Sequence, residues 1–122
     1  MKKILIFLMA ILFVSCDPLA YYDYFITNNC TENIVVIYKT KNNPKATFQI
    51  SPNITQLIHS DEAILPLRDR TIEYFLEEII VVKGNDASKV NYVNKNLWDF
   101  RITSKNNAEC YLTVIDNDFE VQ

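Results

Sequence analysis

Short runs of β-branched and aromatic residues, each cut off by asparagine, proline or the chain's single glycine, leave this sequence few folds to adopt. Ile34-Val35-Val36-Ile37-Tyr38 is apolar on both faces and rich in branched side chains, which reads as a central strand. Tyr22 to Thr27 alternates, placing Tyr22, Tyr24 and Ile26 on one face. Ala46 to Ile50 alternates too, and Ile54 to His59 is a weaker strand. Leu97 to Ile102 directs Trp98, Phe100 and Ile102 inward, and Glu109 to Ile115 aligns Cys110, Leu112 and Val114. The intervening Asn28 to Asn33, Lys41 to Pro44, Ser51 to Asn53 and Ser104 to Ala108 carry turn chemistry. Six or seven short strands with such turns predict a mostly β protein, an immunoglobulin-like antiparallel β-sandwich.

One stretch departs from this pattern. Across Asp69 to Ile80, apolar residues fall at Ile72, Phe75, Leu76 and Ile79, the spacing of a helix face. Asp69 is placed to cap it, and Glu73 lies near its start where the helix dipole favours negative charge. Glu78 to Lys83 has strand composition and stops at Gly84-Asn85. The expectation is one short helix or helical turn feeding directly into a strand.

The N-terminus has a different logic. Lys2 and Lys3 precede eleven consecutive apolar residues, Ile4 to Val14. A basic start and a short apolar core make a secretory signal, whereas crossing a bilayer takes about 20 apolar residues. Phe13 does not suit an ordinary cleavage site, which wants small residues at the third and first positions before the cut. Leu12-Phe13-Val14-Ser15-Cys16 instead resembles a bacterial lipobox, matching at Val14, Ser15 and Cys16 and departing at Phe13. It is similar to lipoprotein signals of the Bacteroidetes group. That resemblance implies that the Cys16 thiol takes up a diacylglyceryl group as a thioether and that cleavage before Cys16 frees an amine for further acylation. Two or three chains hold durably where one would not, at about 0.8 kcal/mol per buried CH₂. The alternatives are a secreted protein in which Cys16 is incidental and a membrane-spanning anchor. The expected organisation is a signal over 1–15, a lipidated tether over 16–21 and a β-sandwich over 22–122.

Loss of the signal leaves 107 residues, one domain's worth, with ten basic against fifteen acidic side chains. The acidic balance argues against nucleic acid and against charge-driven binding to anionic lipid. In an oxidising compartment the remaining pair, Cys30 and Cys110, favours a disulfide; the alternative is two buried free thiols. With one histidine in the chain, a metal centre is not expected, and with one glycine neither is a phosphate-cradling loop.

Chemistry-bearing residues are sparse. His59 adjoins Ser60, but neighbours on a strand point to opposite faces, so the two do not form a catalytic pair. Asp61-Glu62 and Glu77-Glu78 read as solvated neighbours, since glycoside hydrolysis draws its two carboxyls from different elements. Asp116-Asn117-Asp118 with Glu120 lacks the glycine and the full spacing of a calcium loop. No catalytic, cofactor-binding or metal-binding residue is assigned. The aromatic group Tyr21, Tyr22, Tyr24 and Phe25 can act in two ways, as core or as a contact surface, and Tyr21, Tyr22 and Phe25 are the candidate contact residues.

The "FVSCDP" junction, the "YYDYFITNNCTENIVVIYKT" opening and the "NLWDFRITS…CYLTVIDNDFE" ending together resemble small Bacteroidetes lipoproteins of uncharacterised domain families. The resemblance implies an immunoglobulin-like sandwich without catalysis, held at the outer membrane on its periplasmic or outer face through acylated Cys16. Asp17 is loosely like the acidic export signals of such lipoproteins. Two functions follow as expectations. One is a non-enzymatic binding or structural module for a protein or glycan, with an exposed aromatic or apolar patch away from the anchored end. The other is a lipoprotein inhibitor or immunity protein that neutralises a protease or toxin.

Overall fold

The structure, a computed structural model, describes residues 18–69 and 72–120. The signal, Cys16 and Asp17 lie outside the described residues. The described chain is mostly strand and forms two four-stranded sheets, the expected β-sandwich. Its strands are β1 (Leu19–Asn29), β2 (Ile34–Thr40), β3 (Ala46–Ile50), β4 (Thr55–Ile64), β5 (Leu76–Lys83), β6 (Asp86–Ala87), β7 (Trp98–Ser104) and β8 (Asn107–Ile115). One sheet runs β4-β1-β8-β7 and the other β3-β2-β5-β6. Eight strands therefore replace the expected six or seven, and β1 and β2 belong to different sheets. All pairings are antiparallel except β1 with β8, which is parallel. No helix of the described residues is long and apolar enough to cross a membrane.

The core follows the period-2 pattern. Ala20, Tyr22, Tyr24 and Ile26 of β1 and Ala108, Cys110, Leu112 and Val114 of β8 are all buried. Ile34 and Val36 of β2 and Val81 of β5 face them from the other sheet. β2 is central, as its composition predicts, flanked by β3 and β5. Of the three side chains expected inward on β7, Trp98 is buried and Phe100 half-buried. Ile102 is 62% exposed, because β7 is a sheet edge and little covers its far end. The Trp98 indole donates to the Tyr92 carbonyl at 2.7 Å, so the burial of its ring leaves no orphan N–H.

Three boundaries differ from the sequence reading. The strand β1 begins at Leu19, so residues 19–21 of the expected tether already pair with Ile64, Ala63 and Glu62 of β4. At its other end β1 runs through Asn28 and Asn29, which were expected in a turn. Among the described residues the helical turn covers Ile72–Phe75, here α1, and Leu76 already starts β5. A register shift between Lys39 and Thr40 of β2 lets Glu78 pair with Lys39 while Leu76 pairs with Thr40. With Glu77 bulged, both Leu76 and Ile79 turn inward, and the strand imitates a helical spacing.

The end of the sandwich remote from β1's start is tied by charge. Lys83 Nζ lies 2.8 Å from Asp116, whose carboxylate also accepts from the Thr31 amide. The Lys83 ammonium beside it holds the Asp116 carboxyl below its ordinary value. Asp118 accepts from the Tyr92 hydroxyl at 3.0 Å and from the Ile115 amide. Asp116 and Asp118 of that acidic stretch are thus both engaged with protein donors.

Candidate functional site

Two surfaces gather the residues with chemistry. The first is the outer face of the β4-β1-β8-β7 sheet, where register brings cross-strand neighbours into rows. Leu57, Phe25, Tyr111 and Asp99 occupy one row across all four strands. The Phe25 and Tyr111 rings stack at 4.9 Å with 11° between their planes. The Arg101 guanidinium lies 4.9 Å from the Tyr111 ring centre and is held there by Asp99 at 2.7 Å. The Tyr111 hydroxyl donates to the Glu109 carboxylate. Phe25, Tyr111 and the Arg101 cation over the Tyr111 ring thus form one continuous stack across β1, β8 and β7. Leu57 is 43% exposed and extends the row toward the β4 edge.

Of the three candidate contact aromatics, the structure keeps two on the surface. Tyr21 is 45% exposed, and Phe25 is half-buried in the row just described. Tyr22 is not a contact residue: it is 1% exposed, and its hydroxyl accepts from the Arg68 amide. Alternation on β1 puts Tyr22 and Tyr24 inside and Tyr21 and Phe25 outside. Tyr111 and Leu57 were missed. Their signal was available only once β1, β4 and β8 were known to be neighbours.

The second surface is a groove at the β4 edge. Opposite Tyr24 and Phe25 the β4 register slips, so that Tyr24 pairs with His59 and Phe25 with Leu57. Ile58 is the extra residue of a bulge, and bulges at sheet edges re-aim side chains. Ile58 and His59 both turn inward as a result, and Asp61 follows on the same face. The His59 ring stacks on Tyr24 at 5.8 Å and meets Tyr38 edge-on at 6.0 Å. Its Nε2 sits 3.6 Å from Asp61 Oδ2. Ser60 faces away, donating to Asp23 at 2.6 Å. Across the gap stand Thr40 and the turn residues Lys41, Asn42 and Asn43, with Phe75 also on the wall, around about 490 Å³.

Cys30 and Cys110 do not form the expected bridge; both are free and buried. The register explains it. Cys110 lies level with Tyr24 of β1, and Cys30 comes six residues further along the same strand direction. At about 3.3 Å per residue that is roughly 20 Å, against a Cα limit of about 7 Å for a disulfide. Burial pushes the Cys110 thiol up to about 12. Burial and then the Asp116 charge push Cys30 up to about 11. Thiolate is the reacting species, so both thiols are expected to resist Ellman's reagent in native protein at pH 8 and to react fully in denaturant. Reaction of either in native protein would contradict this placement.

Among the described residues no group of three or more histidine, cysteine or acidic side chains converges as a metal site would require. Comparison with protein-family models, with curated proteins and with solved structures returned no match.

Proposed function

We propose that this protein is a lipid-anchored envelope protein whose β-sandwich is a non-enzymatic binding module, with the Leu57-Phe25-Tyr111 row as its contact surface. The observation that carries the reading is how exposed apolar side chains are distributed along β1. Cys16 precedes the start of β1 by three residues, so a lipid there moors the sandwich by the end bearing Leu19. Among the described residues, the two most exposed large apolar side chains sit at that end: Ile64 (66%), paired with Leu19, and Ile102 (62%), paired with Ala108 beside Tyr22. They suit a bilayer surface, and Tyr21 joins them as an amphipathic side chain fitted to an interface. The stacked row begins four residues further on, about 13 Å from Tyr21, clear of the headgroups and open to a protein or glycan. His59 supports binding over catalysis: Ser60, its neighbour in sequence, is turned to Asp23 on the opposite face. The membrane is the outer membrane, on its periplasmic or outer side.

The test has two arms. In the native host, labelled palmitate is expected on the wild-type protein, while Cys16→Ser loses the label and leaves the membrane fraction. A bare Cys16 overturns the anchor. For the surface, a photo-crosslinker at Leu57 is expected to trap one partner in wild type and none in Phe25→Ser. The distal control Ile54→Ser should retain the partner, and trapping that survives Phe25→Ser overturns the row as the contact surface.

A further inference from the structure

The outer face of the β4-β1-β8-β7 sheet carries its charges unevenly. Among the described strand residues, alternation puts four acids on it, Asp23, Glu62, Asp99 and Glu109, against one base, Arg101. Asp23 and Glu109 lie level with each other on the parallel strands β1 and β8, and like charges so placed repel. A neutral hydroxyl holds each carboxylate without cancelling its charge: Ser60 donates to Asp23 at 2.6 Å, and Tyr111 donates to Glu109. Arg101 is level with Glu109 across the other ladder, but its guanidinium is turned to Asp99. Lys95 and Lys105 flank β7 at its two ends, and Arg68 lies with Tyr22 and Ala63 on the inner side. Among the described residues no cation comes within ion-pair distance of Asp23, Glu62 or Glu109. The other sheet differs: there Lys39 meets Glu77 and Lys45 meets Glu78.

We infer that this face receives a basic protein surface, with lysine or arginine side chains set among apolar ones. The inference rests on the proposal that the Leu57-Phe25-Tyr111 row is a contact surface, and it names the chemistry of the partner. Phe25 and Tyr111 follow Asp23 and Glu109 by two residues on their strands, so an apolar and an acidic row run side by side about 7 Å apart. A cation entering between Asp23 and Glu109 replaces their repulsion with two attractions, while apolar neighbours cover Leu57, Phe25 and Tyr111. A neutral glycan laid over the row strips water from both acids and leaves the repulsion in place. An anionic partner adds to it. The lipid anchor has no part in this inference.

Fluorescence anisotropy on the protein purified in non-ionic detergent tests it. The probes are three labelled peptides that alternate leucine with lysine, serine or glutamate, and labelled chitotetraose as a neutral glycan. The lysine peptide is expected to bind about threefold or more tightly than the serine peptide, and to weaken as salt rises from about 0.05 to about 0.5 M. Asp23→Asn combined with Glu109→Gln keeps an acceptor for each hydroxyl and should weaken the lysine peptide about three- to tenfold. The same pair of changes removes a repulsion, so the thermal midpoint should equal or exceed wild type. That separates lost binding from lost folding. Phe25→Ser should weaken the lysine and serine peptides alike. Equal binding of those two peptides, both lost in Phe25→Ser, overturns the basic partner and leaves the row standing, as does binding of chitotetraose alone. Lysine-peptide binding that survives Phe25→Ser overturns the row and this inference with it. A lysine preference untouched by the paired acid changes overturns the inference, and so does binding of no peptide.

Discussion

Asn28→Ala is expected to destabilise the protein by about 3 kcal/mol, a large loss for a surface-looking asparagine in an Asn-Asn pair. Asn28 is fully buried in β1. Its side-chain amide donates to the Ile50 and Glu32 carbonyls, both at 2.9 Å, and its side-chain oxygen accepts from the Cys30 amide. Its main chain donates to the Ile54 carbonyl and accepts from Asn53, whose positive φ of 63° is one that asparagine tolerates. Ile50 belongs to β3, so one side chain ties the two sheets together at the end where β1 passes to β2. Alanine strands the Ile50 carbonyl and the Cys30 amide away from water, at about 1–3 kcal/mol each. The Glu32 carbonyl is only part-buried, and water can take it. Urea unfolding should show a lower midpoint with the slope unchanged. Asn29→Ala, at the exposed neighbour, should move stability by no more than about 0.5 kcal/mol. Equal effects at the two positions would refute the tie.

Tyr24→Ala is expected to cost more, about 3–5 kcal/mol. Tyr24 is 1% exposed and meets His59, Phe75 and Trp98 with ring centres at 5.8, 5.8 and 6.0 Å. The ring fills the middle of the sandwich, and neighbouring strands cannot close the space it leaves without breaking their ladders. Typical domains hold only about 5–15 kcal/mol in reserve, so a sizeable unfolded fraction should appear under native conditions. Tyr21→Ala, one strand face away and 45% exposed, serves as control and should cost about 1 kcal/mol or less. A Tyr24→Ala protein with the wild-type thermal midpoint would show that the ring is not core.

Much of the sandwich was legible in the strand pattern because side chains on a strand alternate regardless of what the strand meets. Tyr22, Tyr24 and Ile26 on β1, and Cys110, Leu112 and Val114 on β8, are buried as their spacing predicts. The pattern failed where a bulge adds a residue. At Glu77 it made strand look like helix, and at Ile58 it hid the inward turn of His59 and Asp61. A bulge is a property of two paired strands, and no local signal in one of them announces it. Asn28 failed for a related reason: asparagine favours turns until a partner strand offers its amide two carbonyls.

By itself, then, the sequence determined the strand class, the inner faces of β1 and β8 and the apolar, basic-led start that ends at Cys16. These depend on period, composition and short spacing, all local quantities. Only the tertiary structure decided that Cys30 and Cys110 stay apart, that Leu57, Phe25 and Tyr111 form one row, and that Thr40 meets His59 across a groove. Each of those depends on which strands are neighbours and in what register, and register is set jointly by chains distant in sequence.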